Sequence, residues 1–124
     1  MSVNSVRVEV MTEYLPEQSI PEDNRYVFAY HASIHNDGSQ TAQLISRHWI
    51  MTDGNDKTQE VKGMGIVGIQ PYLQPGESYQ YTSGTVIETV VGTMQGSYQM
   101  QAEDGTLFDA IILPFTLAMP NKVH

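Results

Sequence analysis

There is no cysteine among the 124 residues. That absence removes disulfides, thiolate zinc sites and cysteine nucleophiles together. No hydrophobic run approaches the ~20 residues that a membrane-spanning helix needs. The first residues, Met-Ser-Val-Asn-Ser-Val-Arg, lack the apolar stretch of a secretory signal. The expected location is the cytoplasm, with no membrane partner. Positive charge is scarce: six Lys and Arg against fourteen Asp and Glu give a formal net charge of −8. Nucleic-acid affinity comes mainly from cations on phosphates, so no nucleic acid is expected as a partner. No segment has the periodicity of an amphipathic helix, and no repeat or linker divides the chain. Residues 1–124 are therefore read as a single domain. A domain of this size buries about two-thirds of its unfolded surface, enough to fold without crosslinks or metal.

What the sequence does contain alternates. Within residues 3–11, Val6, Val8 and Val10 alternate with Arg7 and Glu9, the period of a half-buried strand. Residues 12–24 hold Pro16 and Pro21 and are expected to form a surface connection that shields a sheet edge. Residues 25–35 make a second strand. Tyr26, Phe28, Tyr30, Ala32 and Ile34 share its core face, and His31 and His35 lie on the other. Asn36-Asp37-Gly38 supplies a turn. Residues 42–52 are apolar on parts of both faces, as a central strand would be. Trp49, the single tryptophan, is expected in the core with its indole N–H bonded to one partner.

Asp53-Gly54-Asn55 turns the chain, and residues 58–62 return it. Pro75-Gly76 is a further turn before a short strand carrying Tyr79 and Tyr81. Residues 85–91 are β-branched and ambiguous. Residues 94–101 form a strand with Tyr98 and Met100 on one face, and Glu103-Asp104-Gly105 makes a hairpin turn. Phe108, Ala110 and Ile112 open the last strand, where Pro114 predicts an edge position or a bulge. Phe115 and Leu117 continue its burial, and the tail from Pro120 to His124 is expected to be loose. Seven to eight strands separated by turn signals indicate an all-β chain folded as an antiparallel β-sandwich.

Residues 61–71 carry Gly63, Gly65 and Gly68 in the spacing G-x-G-x-x-G. A dinucleotide fingerprint requires a helix to open after the glycines, so that a pyrophosphate sits on its N-terminus. Pro71 and Pro75 leave no room for that helix. The stretch reads instead as a kinked, bulged strand. A non-Rossmann anion nest of backbone N–H groups stays open, helped by Arg47, Lys57 and Lys62 nearby.

Other constellations are weak. His31 and His35 sit roughly 13 Å apart along one strand and cannot share an ion directly. A metal site would have to recruit His48 or acids from elsewhere; His124 is the fourth histidine. Asp53-Gly54-Asn55-Asp56 departs from a calcium loop at Lys57 and Thr58 and lacks a bidentate glutamate. Glu22-Asp23 and Glu103-Asp104 lie in turns, and Ser46, Ser83 and Ser97 have no nucleophile-elbow context. No catalytic residue, metal ligand or cofactor is assigned.

Taken in order, several blocks are familiar together. They are Gln18-Ser19, Tyr26-Val27-Phe28-Ala29-Tyr30, Gln43-Leu44, Ser46-Arg47-His48-Trp49, and the run from Gly63 to Pro71. Pro75-Gly76-Glu77, the run Tyr79 to Gly84, Gly92-Thr93-Met94-Gln95-Gly96 and Ile112-Leu113-Pro114-Phe115 follow. Across nearly the whole chain the set resembles the bacterial ApaG family, also called CorD. Val90 departs from it, standing where the family pattern has proline.

The resemblance implies a fibronectin type III-like, immunoglobulin-like sandwich. It also implies an association with cobalt resistance and magnesium efflux, and a protein-binding role. The expected function is a non-enzymatic binding module for an unknown protein partner. Its site residues would be Arg47, Trp49, Lys62, Gly63, Gly65, Gly68, Gln70, Thr82, Ser83 and Gly84. Two alternatives stand beside it. One is small-anion binding, of pyrophosphate or a dinucleoside polyphosphate, at the glycine-rich loop. The other is direct divalent-metal binding through His31 or His48. A homodimer through an exposed strand edge is a further expectation.

Overall fold

A computed structural model describes residues 4–120. The expected loose tail beyond Pro120, His124 included, and the expected strand at Val3 lie outside the described residues. Eight strands follow in order: β1 (Val6–Tyr14), β2 (Tyr26–Asn36), β3 (Ala42–Asp53), β4 (Thr58–Met64), β5 (Tyr72–Leu73), β6 (Ser78–Ile87), β7 (Val91–Ala102) and β8 (Leu107–Ala118). Every pairing is antiparallel. One sheet runs β1-β2-β6. The other runs β4-β3-β7-β8, with the short β5 also paired to β3. The only helical pieces among the described residues are two single 3₁₀ turns, Pro16–Gln18 and Pro21–Asp23. No helix among them is long and apolar enough to cross a membrane.

The alternation seen in the sequence becomes the core. Tyr26, Phe28, Tyr30, Ala32 and Ile34 are buried on β2, and Val6, Val8 and Val10 of β1 pack beside them. Trp49 lies at the centre with Tyr30, Tyr98 and Phe115 around it at ring-centroid separations of 5.2 to 6.0 Å. Such tilted and edge-to-face packing favours the ring quadrupoles. One expectation about Trp49 is corrected. Its Nε1 is buried and has no hydrogen-bond partner among the described residues.

Two bulges set which side chains enter that core. In β3 the register with β7 shifts between Leu44 and Ser46, leaving Ile45 as the extra residue. Ala42 and Leu44 are buried before it; Trp49, Met51 and Asp53 are buried after it. Parity has changed from even to odd. In β8 the register shifts opposite Met94 and Gly96, so Leu113 and Pro114 together face Gln95. Pro114 is thus both on an edge strand and in a bulge, and the extra residue brings Ile112 and Phe115 to the same face.

The segment 12–24 is not wholly a connection. Strand β1 continues to Tyr14, whose ring packs on Phe28 at 5.3 Å, and Leu15 N–H donates to the Val27 carbonyl. The glycine stretch is strand only to Met64. Gly65 then turns with φ of 60°, and its N–H donates to the Ile45 carbonyl at 2.8 Å. Gln70 Nε2 donates to the same carbonyl, also at 2.8 Å. Ile66 and Ile69 exchange N–H···O bonds around Val67 (φ 48°) and Gly68 (φ 77°). Positive φ at both central residues is the requirement of a type I′ hairpin, normally met by Asn-Gly.

This packing makes three predictions. A Cβ at Gly65 would meet the Ile69 carbonyl oxygen at 2.3 Å, whereas one at Gly68 would meet nothing within 4 Å. In urea unfolding, Gly65→Ala should therefore cost about 2 kcal/mol or more and Gly68→Ala only about 1 kcal/mol. Val67→Asn should stabilise by up to about 1 kcal/mol, because a β-branched, exposed side chain leaves a positive-φ site. Burial pushes the hydrogen-bonded phenols of Tyr98 and Tyr81 well above the usual tyrosine value. A raised folded-state value favours the neutral form. Their stabilisation is complete below about pH 10 and is lost as pH rises beyond the unfolded tyrosine value. Thermal unfolding should show a steep alkaline decline that Tyr98→Phe flattens.

Candidate functional site

Strands β1 and β8 meet along one side of the sandwich, where Thr12 Oγ1 reaches the Thr116 carbonyl. On the other side the outermost strands, β4 and β6, leave a cleft of about 410 Å³. Arg47, Trp49, Gln59, Val61, Ser83 and Gly84 are among its walls, with Tyr30 and Met51 beneath. Registry explains the set. Arg47, Trp49 and Met51 pair with Gly63, Val61 and Gln59, so both rows share one face. Tyr30 pairs with Ser83, which puts Ser83 on the inner face of β6.

Arg47 is inward because the Ile45 bulge turned it there. Its Nη1 donates to the Met64 carbonyl at 3.2 Å and the Gly65 carbonyl at 2.9 Å. A Cβ on Gly63 would lie 2.8 Å from Cζ, Nη1 and Nη2 alike, so the guanidinium lies flat against that glycine. Arg7 and Lys57 have carboxylates within 4 Å. Arg47 has none among the described residues, in a chain of net charge −8.

The residues singled out from the sequence divide into groups. Arg47, Trp49, Ser83 and Gly84 come together in the cleft. Thr82 faces the opposite way, with its Oγ1 2.8 Å from His31 Nδ1. Lys62 lies on the outer face of β4 and shares a shallower hollow of about 290 Å³ with Arg47, Ser46, His48 and Gln99. There His48 Nε2 lies 2.8 Å from Glu60 Oε2. That hydrogen bond, followed by the charge of Lys62, holds the Glu60 carboxyl below its ordinary value. Gly63 seats Arg47. Gly65, Gly68 and Gln70 shape the loop that closes on Ile45.

Among the described residues no α-helix follows Gly68, and the N–H groups of Gly65, Ile66 and Ile69 already donate to protein carbonyls. Among the described residues no group of three or more His, Asp or Glu is placed to hold a metal ion. His31 and His35 each lie near one glutamate, Glu13 and Glu9. Sequence reasoning missed Gln59 and Val61 as cleft residues. The sequence shows only that Thr58 to Lys62 return the chain, and Gln-Glu-Val-Lys offers too little contrast between its faces to say which one points inward.

Comparison with known proteins agrees with this architecture. The family model described as the ApaG domain matches residues 16–102. Protein ApaG of Dechloromonas aromatica is 58% identical over 123 residues, covering 98% of this chain and 97% of its own. Protein ApaG of Azotobacter vinelandii is 60% identical over 119 residues, covering 96% and 94%. Among solved structures, a Bordetella pertussis protein named ApaA superposes with a TM-score of 0.94 at 50% identity, covering 97% of this chain and 98% of that one. With a shared sandwich and near-complete coverage at this identity, the chain belongs to the ApaG family.

Proposed function

We propose that the protein is a non-enzymatic binding module that holds an extended segment of a protein partner along the open side between β4 and β6. The carrying observation is that two strand edges left unpaired in their own sheets flank one cleft, and that Arg47, Trp49, Ser83 and Gly84 line it. An unpaired edge offers main-chain donors and acceptors to an added strand, and pockets beside it read alternate side chains. The cobalt and magnesium association belongs to the same proposal as an indirect effect, reached through the partner in the cytoplasm. The isolated His–Glu pairs of the outer sheet faces favour that indirect route over a metal bound to this chain. The occupied backbone donors around Gly65 and Gly68 favour the cleft over the glycine loop as the site.

A photo-crosslinking amino acid placed at Gln59 tests this in living cells. It should capture one protein reproducibly, and Ser83→Arg, which fills the cleft from the facing strand, should abolish the capture. Placed at Asp109 on the distant edge strand β8, the same reagent should capture nothing specific. Equal products from both positions, or capture indifferent to Ser83→Arg, would refute the docking role.

A further inference from the structure

We propose that the β4–β6 cleft is a carboxylate site, in which Arg47, the Trp49 indole N–H and the Ser83 hydroxyl hold one carboxylate group. This deepens the docking reading above: it names the chemistry that a partner's segment would place in the cleft.

Three observations converge on it. The first is the unpaired guanidinium. Arg47 is half-buried on the inner face of β3 and has no carboxylate within reach among the described residues. It is not loose. Two main-chain carbonyls fix Nη1, and Gly63 lies flat beneath the plane. The remaining N–H groups of the fork find no acceptor among the described residues. A pre-oriented guanidinium of this kind suits the two oxygens of a carboxylate.

The second is Trp49. It is 2% exposed, lines the cleft, and its Nε1 has no partner among the described residues. Buried donors are seldom left without an acceptor, and one that is calls for an explanation. The third is Ser83, whose hydroxyl has no protein partner among the described residues and lines the facing wall.

The site has donors and no carboxylate lining it, which selects an acceptor-only group. Arg47 is the one cation that lines it; Lys62 lines only the neighbouring outer hollow. A single negative charge is matched, and a polyphosphate is not, all the more so in a field set by a net charge of −8. The carboxylate can belong to a glutamate or aspartate side chain of a peptide, or to a free small acid.

Because Trp49 is the single tryptophan, its indole N–H gives one resolved resonance. The full chain would be titrated at matched ionic strength with N-acetyl-glutamate N′-methylamide, its glutamine counterpart, acetate and inorganic phosphate. The expected result is a saturable indole shift with the glutamate compound in the millimolar range. The glutamine compound and phosphate should bind about tenfold more weakly or not at all. Arg47→Lys, which keeps the charge and loses the fork, should weaken the glutamate compound about tenfold while the rest of the spectrum stays folded. Ser83→Ala should weaken it less. Acetate as tight as the glutamate compound would assign the site to a free acid; a tighter glutamate compound would assign it to a peptide.

No indole shift with either carboxylate at about 10 mM, or equal shifts with glutamate and glutamine compounds, overturns the proposal. The docking reading fails separately. An indole response without crosslinking at Gln59 leaves a small-acid site, whereas crosslinking without an indole response leaves docking with a different chemistry.

Discussion

One extra residue in the central strand decides which side chains meet in the core. Ile45 is accommodated in β3 by a bulge, and its carbonyl accepts two hydrogen bonds from the following loop, from Gly65 N–H and from Gln70 Nε2. Before the bulge even-numbered residues face inward; after it, odd-numbered ones do. A regular strand that paired Ile45 instead of bulging it out would turn every later side chain to the opposite face. His48 would then point into the core, and Trp49 would stand in solvent. The bulge and the loop that holds it are one unit, and the glycines belong to it. They let the chain leave β4, make a tight excursion and re-pair as β5 farther along the same strand β3.

This gives the G-x-G-x-x-G spacing a mechanical meaning. Gly63 is bare because a guanidinium rests on it. Gly65 is bare because it turns against the Ile69 carbonyl, and Gly68 because it occupies a positive-φ corner. Each glycine answers a different local demand, and none of the three demands involves a phosphate. The outcome is an arginine held rigidly at the lip of an aromatic core, beside Tyr81 and Tyr98. Placing a cation there is unfavourable unless its donors are satisfied, and the two main-chain carbonyls satisfy only part of them.

Strand periodicity was plain in the sequence wherever large and small polarity alternated cleanly. Tyr26 to Ile34 showed its core face outright, and Pro114 announced an edge or a bulge, of which β8 has both. The bulge at Ile45 was hidden because Leu44 and Ile45 are both apolar. Inserting an apolar residue next to another leaves no break in the pattern, so β3 looked two-sided. It is indeed central, but part of that two-sidedness comes from the change of parity. Tyr14 was masked by the prolines that follow it. The site was half legible. Arg47, Trp49 and Ser83 were singled out, yet Thr82 was grouped with Ser83 although adjacent strand residues point apart. The unpartnered indole nitrogen depends on which rings surround it, and only the packed core reveals that.

Strand β8 carries Leu107, Ile111 and Leu113 exposed on the outermost position of its sheet. An apolar, regular strand in that position is a template on which further copies of a chain can stack into fibrils. Pro114 sits beside Leu113, lacks an N–H to offer, and stands in a bulge that breaks the flat run of the ladder. The same kink that brings Phe115 into the interior therefore interrupts the rim, so this apolar border presents no flat, unbroken template.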